Sequence, residues 1–292
     1  MMFKVRRVGW LAAGVGSLVL LSGCSAPDKQ ASVASASAGQ VAQASLELGG
    51  VHNMLITDEG ILLGTHHGVW LQTNSQDPVR VGDSRFDVMG LAKFGSGLVA
   101  SGHPGETDEQ VGNIGLRGST DQGRTWENIS LSGQVDFHRL TTSGQTIMGL
   151  SSADGALLVS TDGGETWIAL PNPNIYDLAL DPNDSLTIVG TTETGQILSS
   201  DGGKTFSPIP GAPLLVLLSW DTARLVGVGP DGLIYESLDK SITWNKVGSI
   251  TGEVRALTSN GDEIAVLAGT NLYYSIDAGR NFNIRITGIA GH

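Results

Sequence analysis

One eight-residue phrase recurs along the chain: STDQGRTW (119–126), STDGGETW (160–167), SSDGGKTF (199–206), SLDKSITW (237–244) and SIDAGRNF (275–282). Successive copies start 41, 39, 38 and 38 residues apart. A fixed period near forty means one supersecondary unit per period, and a unit that size cannot bury its apolar face alone. The units must pack against copies of themselves, in an open stack or a closed ring.

Each position of the phrase has a local physical reason. Asp121, Asp162, Asp201, Asp239 and Asp277 can accept hydrogen bonds from backbone N–H groups in a tight turn. Gly123, Gly164, Gly203 and Gly279 can supply a positive φ that a Cβ would penalise. Trp126, Trp167, Phe206, Trp244 and Phe282 lay a large ring over the turn and bury apolar area. The fourth copy has Ser241 where the others have glycine, which predicts a looser turn. A calcium loop needs several carboxylates per turn, and the phrase fixes only one. The pattern S-x-D-x-G-x-T-W resembles the Asp-box, or BNR repeat, of sialidases and many other β-propellers.

Around each copy the chain reads as short β-rich runs. In the third unit these are FHRLTTS (137–143), TIMGLSS (146–152), ALLVST (156–161) and TWIAL (166–170). The same four-run template fits 51–82, 88–131, 175–210, 214–248 and 254–287. The first of these has lost the phrase and carries NSQDP (74–78) at the corresponding turn. Six units of four strands predict an all-β fold, a six-bladed β-propeller with Asp-box repeats, which closes on itself and shields its strand edges. An open solenoid would need capping units at both ends, and none is visible. The segment ASLELGG (44–50) is a candidate edge strand at ring closure.

The register sorts residues between the two faces of such a ring. Strand A starts, strand B ends and the B–C loops share one face, while the A–B turns and the repeated phrase, at the C–D turns, share the other. The second positions of the A strands read His52, Met89, His138, Tyr176, Leu215 and Arg255. Strand B ends and B–C loops add His66, His67 and His103. Five of the six histidines therefore map to one face and to blades 1–3. Asp87 and Asp136 start the same strands, and the one long B–C insertion (103–113) adds Glu106, Asp108 and Glu109. Imidazole, thioether and carboxylate within reach of one another suit a transition metal. Met with His leans toward copper; His with carboxylate leans toward zinc or another divalent ion. His52, His66, His67, Met89, His103 and His138 are the candidate ligands. The competing reading is that these histidines satisfy loop carbonyls at a channel mouth.

The phrases GTHHGVW, LVASGHPG and DFHRL, together with the boxes, resemble a family of exported bacterial Asp-box propellers labelled glycosyl hydrolase-like or sialidase-like. The resemblance covers roughly 50–290, and its label implies glycoside hydrolysis. Sialidase chemistry implies three convergent arginines, a tyrosine nucleophile with a glutamate beside it, and an acid–base aspartate. Here only Arg139 and Arg255 lie on inner strands, Arg124 and Arg280 fall in the boxes, and Tyr176 has Asp177 rather than Glu beside it. A two-carboxylate glycosidase could instead draw on Asp87, Asp136, Glu106 and Asp108. No nucleophile-elbow phrase supports a serine hydrolase. The first reading is therefore a binding or scaffolding module, which resembles the photosystem assembly propellers with similar boxes, and glycoside hydrolysis is the alternative.

The N-terminus predicts where such a propeller works. Lys4, Arg6 and Arg7 precede an apolar run, VGWLAAGVGSLVLL (8–21), of signal-peptide rather than membrane-spanning length. The run ends in LSGC (21–24), which resembles a bacterial lipobox with Cys24 as the acylation site. Cys24 is the only cysteine, so no intramolecular disulfide can form. The reading is a signal peptide over 1–23, lipidated Cys24 with an Ala/Ser/Gln-rich flexible tether over 24–45, and the propeller over 46–292. Losing the signal leaves 14 basic against 29 acidic residues. That balance argues against nucleic acid as a partner and leaves membrane attachment to the lipid, with an envelope protein, a glycan or a metal as ligand.

Overall fold

In a computed structural model of the chain, the six units are six four-stranded antiparallel sheets, each with its strands in sequence order. The structure describes residues 42–43, 48–74, 76–105 and 112–291. Cys24, the expected signal peptide, most of the expected tether, Glu106 and Asp108 lie outside the described residues. No helix occurs among the described residues, and so none is long and apolar enough to cross a membrane.

The inner strands are Val51–Thr57, Asp87–Phe94, Phe137–Ser143, Asp177–Asp181, Leu217–Trp220 and Val254–Asn260. Each touches the inner strand of the next blade, and the sixth touches the first. The fold is a closed six-bladed β-propeller. Its inner two strands are rich in Val, Ile and Leu because both of their faces are covered. Thr146–Ser151, for example, is buried at every position.

The core is not central. It lies in six apolar clusters, one at each junction between neighbouring blades. This follows from the alternation of side chains on twisted sheets: each blade buries both faces, one against each neighbour. The cluster between blades 6 and 1 joins Val51, Met54, Leu63 and Trp70 to Leu267, Leu272, Tyr274 and Ile286, so ring closure is packed like every other junction. Inner-strand side chains stitch adjacent blades as well. Ser143 Oγ donates to Asp181 O at 2.8 Å, and the Ser259 N–H donates to Ser219 Oγ at 2.9 Å.

Closure also uses the chain ends. Ala42–Gln43 pairs in parallel with Ile286 and Thr287, making the last blade five-stranded, and Gly50 bridges Ala290 in the same sense. Arg255, in the last blade, donates to Gly269 O at 3.1 Å and across the junction to Val51 O at 3.4 Å.

The repeated phrase forms the C–D turn, and its residues close on one another. In the second copy, Asp162 Oδ1 accepts from Thr166 N–H at 3.0 Å and from Ser160 Oγ at 2.7 Å, while Oδ2 accepts from Thr166 Oγ1 at 2.5 Å. Ser160 Oγ in turn accepts from Gly164 N–H at 2.8 Å. Trp167 Nε1 donates to Gly164 O at 3.0 Å, and its ring lies 5.1 Å from that of Phe137. Gly164 has φ +93°, and a Cβ there would stand 2.4 Å from Leu116 of the preceding blade. The Gly163 N–H donates to Gln145 O in the A–B turn, which places the phrase on the A–B face as the register requires.

The fourth copy differs from expectation. Ser241 N–H still donates to Ser237 Oγ at 2.9 Å, and Thr243 still bonds Asp239 through N–H and hydroxyl at 2.8 and 2.6 Å. The serine and aspartate bonds of the turn are therefore kept. Trp244 Nε1, however, is buried without a hydrogen-bond partner, so the bond that Trp167 Nε1 makes to Gly164 O has no counterpart here. The kept bonds hold Ser241 at φ 70°, with its Oγ buried and without a partner.

Candidate functional site

The face opposite the repeated turns is built from the starts of inner strands and the ends of second strands. Register slips by one residue at His52, Met89, His138 and Arg255. Such a bulge leaves its extra residue out of the ladder and re-aims the side chain. In blade 5 the corresponding residue is Val216, not Leu215. Leu215 is fully buried and fills the space over Gly227, as Phe137 and Ile175 do over Gly149 and Gly190. Val216 N–H bonds Val228 O just as Tyr176 N–H bonds Thr191 O.

The histidines gather into two groups, one at each of two blade junctions. At the junction of blades 1 and 2, Asp87 reaches both His52 and His66: His52 Nε2 lies 3.0 Å from Oδ1, and His66 Nδ1 lies 3.1 Å from Oδ2. The two imidazole nitrogens are themselves 3.1 Å apart. At the junction of blades 2 and 3, Asp136 Oδ2 lies 2.7 Å from His138 Nε2 and 3.2 Å from His103 Nε2. Ser152 Oγ donates to the same oxygen at 2.6 Å. In each group the ligand atoms of two imidazoles and one carboxylate lie within 4.8 Å of one another.

Burial is divided so that each group has a rigid base and an accessible rim. His52 is buried in the first group and Asp136 in the second. The imidazoles of His66, His103 and His138 are 42, 45 and 38% exposed, so an ion can reach them from solvent. Burial pushes the pKa of Asp87 and Asp136 up, but hydrogen bonds and charge from the neighbouring imidazoles, and the Ser152 hydroxyl at Asp136, outweigh it. Both carboxyls end below their usual value. Asp136 Oδ1 is nevertheless buried with no hydrogen-bond partner, an arrangement that costs free energy unless something supplies it with charge or a proton.

One glycine makes this geometry possible. Gly102 lies at φ +151°, and a Cβ there would fall 1.9 Å from Asp87 O. The close approach pairs Asp87 directly with His103 across the two inner strands of blade 2. His67 stands outside the groups; its ring centroid is 6.4 Å from that of His66, and its carbonyl accepts from Arg80. Met89 occupies the bulge of the blade between the groups. Glu106 and Asp108 lie outside the described residues.

Of the remaining mouth residues, Tyr176 is exposed, whereas Arg139 and Arg255 are engaged within the fold. Arg139 Nε lies 3.2 Å from Asp177 Oδ1, and Asp177 Oδ2 accepts from the Leu218 N–H at 2.7 Å. Blades 3, 4 and 5 are thereby tied through one buried carboxylate. Burial raises the pKa of Asp177, against the opposing pull of Arg139. Both residues line a central cavity of about 180 Å³ with His52 and Arg255. Asp177 carried no distinguishing signal in the sequence beyond its place beside Tyr176.

No protein-family model matches the chain, and no curated protein matches it. Solved structures do. A GH74 enzyme from Niastella koreensis aligns with a TM-score of 0.57 at 18% identity, over 84% of this chain and 46% of that one. The GH74 xyloglucanase of Xanthomonas campestris aligns with a TM-score of 0.53 at 16% identity, over 81% and 45%. The WD40 propeller domain of Doa1 gives 0.57 at 11% identity, over 84% and 85%. The chain spans just under half the length of the two GH74 enzymes. At these identities the likeness is one of fold, the β-propeller.

Proposed function

We propose that the chain is an extracytoplasmic binding module, an Asp-box propeller of the exported BNR-repeat type, whose ligand on the histidine face is a transition-metal ion. In this reading residues 1–23 are a lipoprotein signal peptide, Cys24 is acylated and anchors the protein to a bacterial membrane, residues 24–45 are the tether, and 46–292 are the propeller. The membrane is met through the lipid, and envelope proteins or glycans are the macromolecules within reach. The observation that carries the metal assignment is the convergence of two imidazoles and a carboxylate, within 4.8 Å, at His52/His66/Asp87 and at His103/Asp136/His138. This donor set suits zinc or a similar divalent first-row ion.

Glycoside hydrolysis is the second reading, and it is favoured only by the fold. It asks for one carboxyl kept protonated as general acid beside a second kept ionised. Asp87 and Asp136 are both pushed the wrong way for the acid role. Asp177 is raised, but its oxygens are committed to Arg139 and the Leu218 N–H. Binding without turnover accounts for more of the arrangement.

Elemental analysis of the full chain, purified without a polyhistidine tag, tests the metal assignment. Bound metal near stoichiometric with protein is expected, and its loss in the His52→Ala/His138→Ala variant. A wild-type chain that takes up no metal from Zn²⁺-supplemented buffer would refute it.

A further inference from the structure

We infer that the histidine face holds two ions in separate centres, one at each junction flanking blade 2. This inference rests on the metal reading above and goes beyond it in number and arrangement.

The first reason is that no residue is shared. Each group is complete, with two imidazole nitrogens and one carboxylate of its own. Three protein ligands suffice for a divalent ion that keeps an exchangeable position for water or another ligand.

The second reason is the repeat. Thr65 in blade 1 and Gly102 in blade 2 are cross-strand partners of Val51 and Val88, so His66 and His103, one residue on, are equivalent. Asp87 and Asp136 are equivalent too, each one residue ahead of the core residue that precedes a bulge. Both centres therefore use one formula: the imidazole at the end of a second strand, with the aspartate that starts the next blade. Duplicating a unit duplicates a site of this kind, whereas a single site at the centre of the mouth would draw on residues from across the ring.

The third ligand breaks the symmetry in an informative way. In the first centre it is His52, the bulge residue of the preceding blade; in the second it is His138, the bulge residue of the following blade. The bulge position left over is that of blade 2, and Met89 occupies it. Blade 2 thus gives Asp87 to one centre and His103 to the other, from directly paired positions. Only the bulge ligands His52 and His138 lie on opposite sides of Met89; the imidazole–aspartate pairs follow the repeat.

A further observation, independent of this pattern, points to a cation at the second centre. Asp136 is fully buried, and while its Oδ2 receives Ser152 and His138, its Oδ1 has no hydrogen-bond partner. A serine that orients a ligating carboxylate is the kind of supporting contact that metal sites use.

The test is a Zn²⁺ titration of the full, metal-stripped, untagged chain, with bound zinc counted after gel filtration. Two equivalents are expected in the wild type, one in His66→Ala, one in His103→Ala and none in the double variant. Both substituted imidazoles are more than two-fifths exposed, so the variants are expected to fold; unchanged thermal midpoints of the metal-free proteins check this. A wild type that binds one equivalent, abolished by either single substitution, would mean a single shared ion and would overturn the proposal, leaving the metal reading intact. A wild type that binds one equivalent, abolished by only one of the substitutions, would overturn it too, because the other group is then an ion pair without a metal. Two equivalents untouched by either substitution would locate the ions elsewhere and sink it. No zinc in the wild type would remove the metal reading itself.

Discussion

Asp162, in the repeated turn, accepts three hydrogen bonds that satisfy both of its oxygens, all from residues within four positions of it in sequence. Asp136, on the opposite face, collects His138, Ser152 and His103 at one oxygen and leaves the other, buried, without a partner. The first carboxylate is spent on folding its own loop. The second is held in place by residues from other strands and is not fully used by them. The comparison separates a face that carries stability from one with binding capacity to spare. It also explains why the repeated phrase, the loudest signal in the sequence, is the wrong place to look for a ligand.

The largest effect that would sharpen this contrast is Gly164→Ala. The new Cβ would meet Leu116 at 2.4 Å in a backbone held at φ +93°, and Leu116 is fully buried between blades 2 and 3. Left-handed strain together with overpacking costs about 2–4 kcal/mol. Urea denaturation is expected to show that loss, with metal content per folded molecule unchanged. A loss under about 1 kcal/mol would mean that the turn is not clamped against its neighbour as described.

Acid should distinguish the faces next. Hydrogen bonds from Thr166, Thr205 and their equivalents hold Asp121, Asp162, Asp201 and Asp277 at about 2, below the ordinary carboxylate value near ~3.9. A depressed folded-state pKa contributes stability that is complete above the unfolded value and lost as pH falls through the folded one. The turns are therefore expected to weaken progressively between about pH 4 and pH 2. The double variant Thr166→Val/Thr205→Val removes two hydroxyl donors and should move the onset of acid unfolding to higher pH. Carboxyl-carbon NMR titration of Asp162 and Asp201 checks the cause. Unmoved titration midpoints would show that the hydroxyls do not hold these charges.

Much of this was legible in the sequence, and the limits have physical reasons. The turns could be read because their bonds are local: Asp, Gly, Thr and the ring lie within one eight-residue window. The strand template and the face assignment follow from the same register, which is why His52, His66, His103 and His138 could be brought to one rim. The division into two groups could not be read from it. It depends on which neighbouring blade each bulge leans toward, and His52 and His138 lean opposite ways from equivalent positions. Asp87 and Asp136 stood in the sequence as candidate catalytic carboxylates; the structure makes them the centres around which the imidazoles gather. Closure itself was read from the repeat, but the closing strand was hidden: Ala42–Gln43, just ahead of the 44–50 candidate, joins the last blade through backbone pairing, which demands no particular side chain. Leu215 was misassigned by one position because the run PLLVLL offers no contrast to fix the register.

The smallest effect probes the one imperfect copy of the phrase. Ser241 keeps the serine and aspartate bonds of its turn at φ 70°, with its hydroxyl buried and unpartnered. Two costs are superimposed there: a Cβ in the left-handed region and a desolvated hydroxyl. Ser241→Gly removes both and gives back some unfolded-state entropy, for a net stabilisation of about 1 kcal/mol. The reciprocal change, Gly203→Ser, adds both costs where a Cβ would also crowd Leu170 at 2.9 Å, so it should lose more than the first change gains. Thermal midpoints of the two variants measure the difference. If Ser241→Gly were instead destabilising, the Ser241 hydroxyl would have to hold a bond worth more than the strain it sits in, and it would not be the unpartnered group described.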